Sequence, residues 1–193
     1  TIDQYRDILS NFDRVSVRES IFKKLLSNLT VKNIEQVLDP VFLLTPKQWK
    51  DFSVNPFDGK SYVLVYQVKR DEFVLQYAYE LARIHHCFVR EITAEAEFLP
   101  NAERYVTLSP QEFVGAFANA DMVVTTSFHG TAFSIMFEKP FVTMMFGTSG
   151  DYRALDLMNT LGIKDSTITR KSKAKDFVCY PRIAFNFSKM LRQ

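Results

Sequence analysis

The segment that most restricts the fold runs from Asp121 to Phe146, "DMVVTTSFHGTAFSIMFEKPFVTMMF". Val123 and Val124 read as a short buried strand. Ala132, Phe133, Ile135, Met136 and Phe137 read as one or two turns of buried helix, and Phe141 to Phe146 as a second buried strand after Pro140. Strand, helix and strand that are apolar on every side belong in a parallel pair with a helical crossover, because such strands must be covered on both faces. The polar interruption, "TTSFHG", falls at the exit of the first strand.

The same alternation extends along the chain. "DRVSV" (Asp13 to Val17) reads as a strand, and Ile21, Phe22, Leu25, Leu26 and Leu29 then recur at helical spacing. Thr45-Pro46-Lys47-Gln48 and Ser109-Pro110-Gln111-Glu112 each combine a hydroxyl N-cap, proline at the first helical position and a reciprocal side chain three residues on. "SYVLVYQV" (Ser61 to Val68) is nearly continuous and β-branched, and Phe73, Tyr77, Leu81 and Ile84 make a helical stripe before the strand-like "HCFVREI". Tyr152 to Leu161 reads as a helix stopped by Gly162, and Ile183 to Leu191 as a terminal helix. We therefore expect an α/β fold, a Rossmann-like parallel sheet with helices on both faces, and a single domain over residues 1–193.

Composition narrows the function classes. With 47% hydrophobic and 14% aromatic residues in 193, the chain can bury a core. A net charge of +2 gives no electrostatic argument for nucleic acid, and no apolar run reaches the ~18–20 residues that span a bilayer. Cys87 and Cys179 suffice for neither a disulfide scaffold nor a zinc site, so we expect a cytoplasmic protein, at most peripheral at the inner face of a membrane. The chain opens on Thr1 directly into helix-like sequence, and we expect it to be a piece of a longer protein.

Ligands of parallel sheets bind beyond the carboxyl ends of the strands. Three such exits carry chemistry here: Arg18-Glu19, Ser127 to Gly130, and Gly147 to Gly150 with Arg153 beyond, and in one sheet they share one edge. His129 precedes a helix expected to begin near Thr131, whose first-turn N–H groups and dipole suit an anion. Gly130 would admit a ligand close to the backbone, and Arg18 and Arg153 offer planar donors for carboxylate or phosphate. Each residue also has a plain reading. His129 can be a packed, hydrogen-bonded residue, Arg18-Glu19 a surface pair, "GTSG" a flexible turn and Arg153 a solvated helix residue. Asp39-Pro40 reads as a turn, Trp49 as a core anchor and His85-His86 as a helix end.

"SVRES" (Ser16 to Ser20), "LDPVFLL" (Leu38 to Leu44), "SPQEFVGAFANADMVVTTSFHGTAFSIMFEKPFV" (Ser109 to Val142) and "YRALDLMNTLGI" (Tyr152 to Ile163) together resemble the polysaccharide pyruvyl transferase family. The resemblance implies transfer of the enolpyruvyl unit of phosphoenolpyruvate onto a saccharide as a pyruvate ketal, with phosphate released. It also implies a two-domain architecture like GT-B glycosyltransferases. This chain looks like the carboxyl-terminal, donor-side domain, with the amino-terminal domain absent and self-association expected. His129 matches the family's motif histidine at the phosphoenolpyruvate pocket and Arg18 a donor ligand. Ser127, Gly130, Thr131, Arg153 and Glu19 are expected around them. Family members often carry arginine where this chain has Ser127, which removes one anion-binding charge. No cofactor and no metal are expected. A nucleotide-sugar-dependent GT-B-type glycosyltransferase or epimerase-like domain, and a non-catalytic ligand-binding module, remain the alternative readings.

Overall fold

The computed structural model describes residues 1–93, 104–105, 108–163 and 166–177, with 104–105 described by backbone alone. Cys179 and the terminal helix expected over Ile183 to Leu191 lie outside them.

Six strands form one sheet: β3 (Tyr62–Gln67), β4 (Phe88–Thr93), β5 (Arg104–Tyr105), β6 (Met122–Thr125), β7 (Phe141–Met144) and β8 (Thr167–Ile168). Their order is β5-β4-β3-β6-β7-β8, and every pair is parallel. Counted within this sheet, that is the doubly wound order 3-2-1-4-5-6, with its switch point between β3 and β6.

Alternate residues of β3 show why the strand must be apolar throughout. Tyr62 and Leu64 enter a core with Phe117, Phe133 and Leu157, while Val63 and Val65 enter a second core with Val74 and Leu81. Helices α5 (Pro110–Asn119), α6 (Phe128–Met136) and α7 (Tyr152–Thr160) cover the first face, and α4 (Glu72–His85) the second. Polar character enters β3 only at its end, where the buried Gln67 accepts the Asp71 N–H at 2.9 Å and donates to Glu91.

The local signals hold. Before α3 (Pro46–Phe52), the Thr45 hydroxyl accepts the Gln48 N–H at 3.3 Å, and Gln48 Oε1 accepts the Thr45 N–H at 2.9 Å. Ser109 and Glu112 repeat the arrangement at α5, at 3.2 and 2.8 Å. Trp49 is an anchor: its indole N–H donates to the Val41 carbonyl at 2.8 Å, and its ring meets Phe133 edge-on at 5.3 Å.

Two expectations are corrected. The sequence places Arg18-Glu19 on the same sheet edge as Ser127 to Gly130, but β1 (Val15–Val17) and β2 (Ile34–Gln36) form a separate two-stranded parallel sheet. Their crossover is α2 (Ser20–Ser27), and α1 (Ile2–Ser10) precedes them. Ser16 and Glu35 are exposed, so these short strands are too polar to be covered on both faces like β3. The second correction is that α6 begins at Phe128 rather than near Thr131, which puts His129 inside its first turn.

Gly115 in α5 explains how closely that helix approaches the segment after α3. A Cβ there would lie 1.9 Å from the Val54 carbonyl oxygen. Alanine gains about 1 kcal/mol of helix propensity, but backbone atoms cannot yield to such an overlap cheaply. Gly115→Ala is expected to destabilise the fold by about 1–3 kcal/mol net, read as a lower denaturant midpoint.

Candidate functional site

The centre of the site is the start of α6. Ser127 is its N-cap, in extended backbone, and its side chain makes no capping bond, so the first-turn N–H groups are left for another acceptor. Thr125 fixes the strand exit: its hydroxyl donates to the Tyr66 carbonyl at 2.8 Å and accepts the Ser127 N–H at 3.0 Å.

Two of the sequence-nominated ligand contacts turn inward. Thr131 is 0% exposed; its hydroxyl donates to the Ser127 carbonyl and pairs with the Thr143 hydroxyl at 2.8 Å. Gly130 is buried, and a Cβ on it would lie 2.1 Å from Thr125 Oγ1. Its glycine requirement is therefore close packing of α6 on β6, not room for a ligand beside its α-carbon. Ser127 is also buried and is not among the residues that line the cleft.

The charged residues converge. Arg18, leaving β1, donates through Nη1 to Asp39 Oδ2. Its Nη2 lies 3.8 Å from Glu19 Oε1, which accepts from Arg153 Nε at 3.1 Å. One carboxylate thus sits against both arginines, although Arg153 lies 134 residues along the chain from Glu19. Both guanidinium groups rest against the Phe128 ring, Arg153 at 4.5 Å and Arg18 at 5.6 Å from its centroid. Glu19 itself is 8% exposed. It holds the arginines, whereas Arg153 keeps Nη1 and Nη2 unbonded to protein among the described residues.

Asp39 and Phe128 were not singled out from the sequence. Asp39-Pro40 carried a turn signal, and the 3-10 turn Pro40–Leu43 is there, with Asp39 Oδ1 accepting the Val41 N–H at 2.9 Å. Nothing in a local pattern discloses that its other oxygen meets an arginine 21 residues earlier.

Arg18, Asp39, Phe128 and Arg153 line a cleft of ≈ 580 Å³ between β2 and α7, with Gln36 and Leu157 among its other walls. His129 stands at its margin rather than in its wall: the imidazole is exposed and packs edge-on to Phe128, centroids 5.3 Å apart. The "GTSG" residues are exposed, Ser149–Asp151 forms a 3-10 turn, and this loop contributes Arg153 only through α7. Among the described residues, no group of three or more His, Cys, Asp and Glu is arranged to hold a metal ion. No helix among them is long and apolar enough to cross a membrane.

Protein atoms on one side of His129 desolvate it and lower its pKa below 6.5. Asp39 opposes that shift, while Arg153 and Arg18 add to it. The free site thus holds a neutral imidazole near pH 7, and an anion bound beside it would favour the charged form. Between the free and ligand-bound pKa values, binding must then take up a proton. Calorimetry of phosphate binding at about pH 6, in buffers of different ionisation enthalpy, is expected to show that uptake and to show less of it in His129→Asn.

No protein of curated function matches the chain. Among solved structures, the glycotransferase of kitacinnamycin aligns over 99% of this chain and 56% of its own, at 14% identity and a TM-score of 0.50. The UDP-GlcNAc 2-epimerase of Methanocaldococcus jannaschii, solved with UDP-GlcNAc and UDP, aligns over 84% of this chain and 51% of its own, at 13% identity and a TM-score of 0.49. The chain spans about half the length of these structures, and the likeness to the glycotransferase is one of fold alone: a parallel sheet with helices on both faces. The sequence profile of polysaccharide pyruvyl transferases matches residues 1–145, three-quarters of the chain and all the site residues but Arg153. The chain belongs to the polysaccharide pyruvyl transferase family.

Proposed function

We propose that this chain is the donor-side part of an enzyme that moves the enolpyruvyl unit of phosphoenolpyruvate onto a saccharide of a polysaccharide or its precursor, forming a pyruvate ketal. The observation that carries this reading is the pair of arginines held against Phe128 beside the uncapped start of α6. A small dianion needs such planar donors and helix N–H groups, and phosphate departure is helped by the same groups.

In the reaction, the methylene carbon of the enol takes a proton and becomes a methyl group. Two acceptor hydroxyl oxygens form bonds to the neighbouring carbon, and the bond from that carbon to the phosphate oxygen breaks. Of the two hydroxyl protons, one balances the methyl group and the other leaves with phosphate. Arg18 and Arg153 bind the carboxylate and phosphate, and His129, neutral when the site is free, passes protons as general acid and base. The cleft of ≈ 580 Å³ has room for saccharide beside so small a donor.

In this reading, α1 and the small sheet of β1, α2 and β2 form the face on which an acceptor-side, amino-terminal domain docks. A two-stranded sheet is marginal by itself, and α2 has no buried residue, with Ile21, Phe22 and Leu25 about half exposed. On α1, Ile2, Tyr5 and Ile8 are exposed in the same way. By itself, residues 1–193 should therefore self-associate in light scattering, bind an apolar dye and release no phosphate above background. A strict monomer, or robust turnover, counts against this division of labour.

Titration of the full-length protein with phosphoenolpyruvate and, separately, with nucleotide-sugars tests the donor. Saturable binding of the first and not the second is expected, and the reverse selects a glycosyltransferase-like reading. His129→Asn is expected to lower turnover by roughly 10²–10⁴-fold at unchanged melting temperature. Arg18→Lys, which keeps charge but loses the planar fork, should mainly weaken donor binding.

A further inference from the structure

Asp39 has one task that any turn residue could perform and one that needs its charge. The turn uses Oδ1, which accepts the Val41 N–H at 2.9 Å, and an asparagine oxygen would serve there equally well. Yet the carboxylate is only 4% exposed, and burying a charge is unfavourable unless the charge is paired. Its partner is Arg18 Nη1 at Oδ2. The Arg18 guanidinium lies against Phe128, whose ring meets the His129 imidazole edge-on. Carboxylate, guanidinium, ring and imidazole thus make one continuous train from the end of β2 to the first turn of α6.

We propose that Asp39 is a positioning residue of this site: its buried charge fixes the Arg18 guanidinium, packed on Phe128, for an anionic ligand. The ligand's identity rests on the proposed function; the electrostatic part does not. The charged groups acting on His129 are Arg18 from the β1 exit, Arg153 from α7 and Asp39 from the loop after β2, while Glu19 touches the two arginines. Glu19 is engaged with both arginines, and Asp39 is the group that counters their effect on the imidazole. With Asp39 uncharged, Arg18 loses its anchor and His129 faces two cations with less opposing charge.

The test is Asp39→Asn in the full-length protein, which preserves the turn acceptor and removes the charge. The His129 ring proton, assigned against His129→Asn, is titrated by NMR, and affinities for inorganic phosphate and phosphoenolpyruvate are measured in parallel. The His129 midpoint is expected to fall below its wild-type position, and affinity for both anions to drop on the order of tenfold. Glu19→Gln should weaken anion binding through Arg153 while leaving the His129 midpoint in place, a contrast that a general loss of packing would not reproduce. An Asp39→Asn protein that is folded, titrates His129 as wild type and binds phosphate as wild type overturns the proposal. If Asp39→Asn does not fold, Arg18→Gln serves: removing that cation should raise the His129 midpoint, and no rise overturns the proposal. A wild type that binds no phosphoenolpyruvate, but whose His129 midpoint falls on Asp39→Asn, sinks the donor reading and keeps the role of Asp39.

Discussion

The site depends on side-chain bonds between two sheets that share no backbone hydrogen bond among the described residues. Arg18 follows β1 of the small sheet, while His129 and Phe128 come from α6, the helix after β6 of the large one. Asp156 of α7 supplies much of the connection. Its Oδ2 accepts the Ser20 N–H at 2.7 Å and the Gln36 side-chain amide at 3.2 Å, while Oδ1 accepts the Ser20 hydroxyl at 2.6 Å. An acid at the start of α2 also complements that helix's dipole. The Glu19–Arg153 pair lies one turn of α7 away from Asp156, so both links run from a single helix.

What could be read in the sequence is what is local. The two capping boxes, the buried β3 and the strand-helix-strand around His129 follow from spacings of a few residues, and only the start of α6 lies three residues earlier than the pattern puts it. The separate sheet was hidden because three-residue strands such as "VSV" and "IEQ" carry too little pattern to reveal which partner they pair with. The ion pairs were hidden for a different reason. Arg18 with Asp39, and Glu19 with Arg153, are joined by the fold alone, and no periodicity reports a contact across 21 or 134 residues.

Charge balance shapes how such a site can act. Arg18 and Arg153 are matched by Asp39 and Glu19, so the cluster has little net charge, and the proposed dianion would not be drawn in by a strong positive field. Recognition has to come from direction instead: the free nitrogens of Arg153, the fixed fork of Arg18 and the N–H groups of α6. Arginines held by acids lose little side-chain freedom when a ligand arrives, because that ordering is already complete.

The contact between Gly130 and Thr125 sets the aim of the residue before it. Neighbouring positions on an α-helix are about 100° apart around its axis, so when one of them is pressed flat against a strand, its predecessor is swung away from that strand. Thr125 Oγ1 lies 2.1 Å from where a Cβ at 130 would be, so α6 can meet β6 along this side only with glycine there. The imidazole at the site's margin therefore owes its outward direction to a missing carbon atom: a single methyl group at 130 would turn or lift the helix and carry His129 out of line with Phe128 and the two arginines.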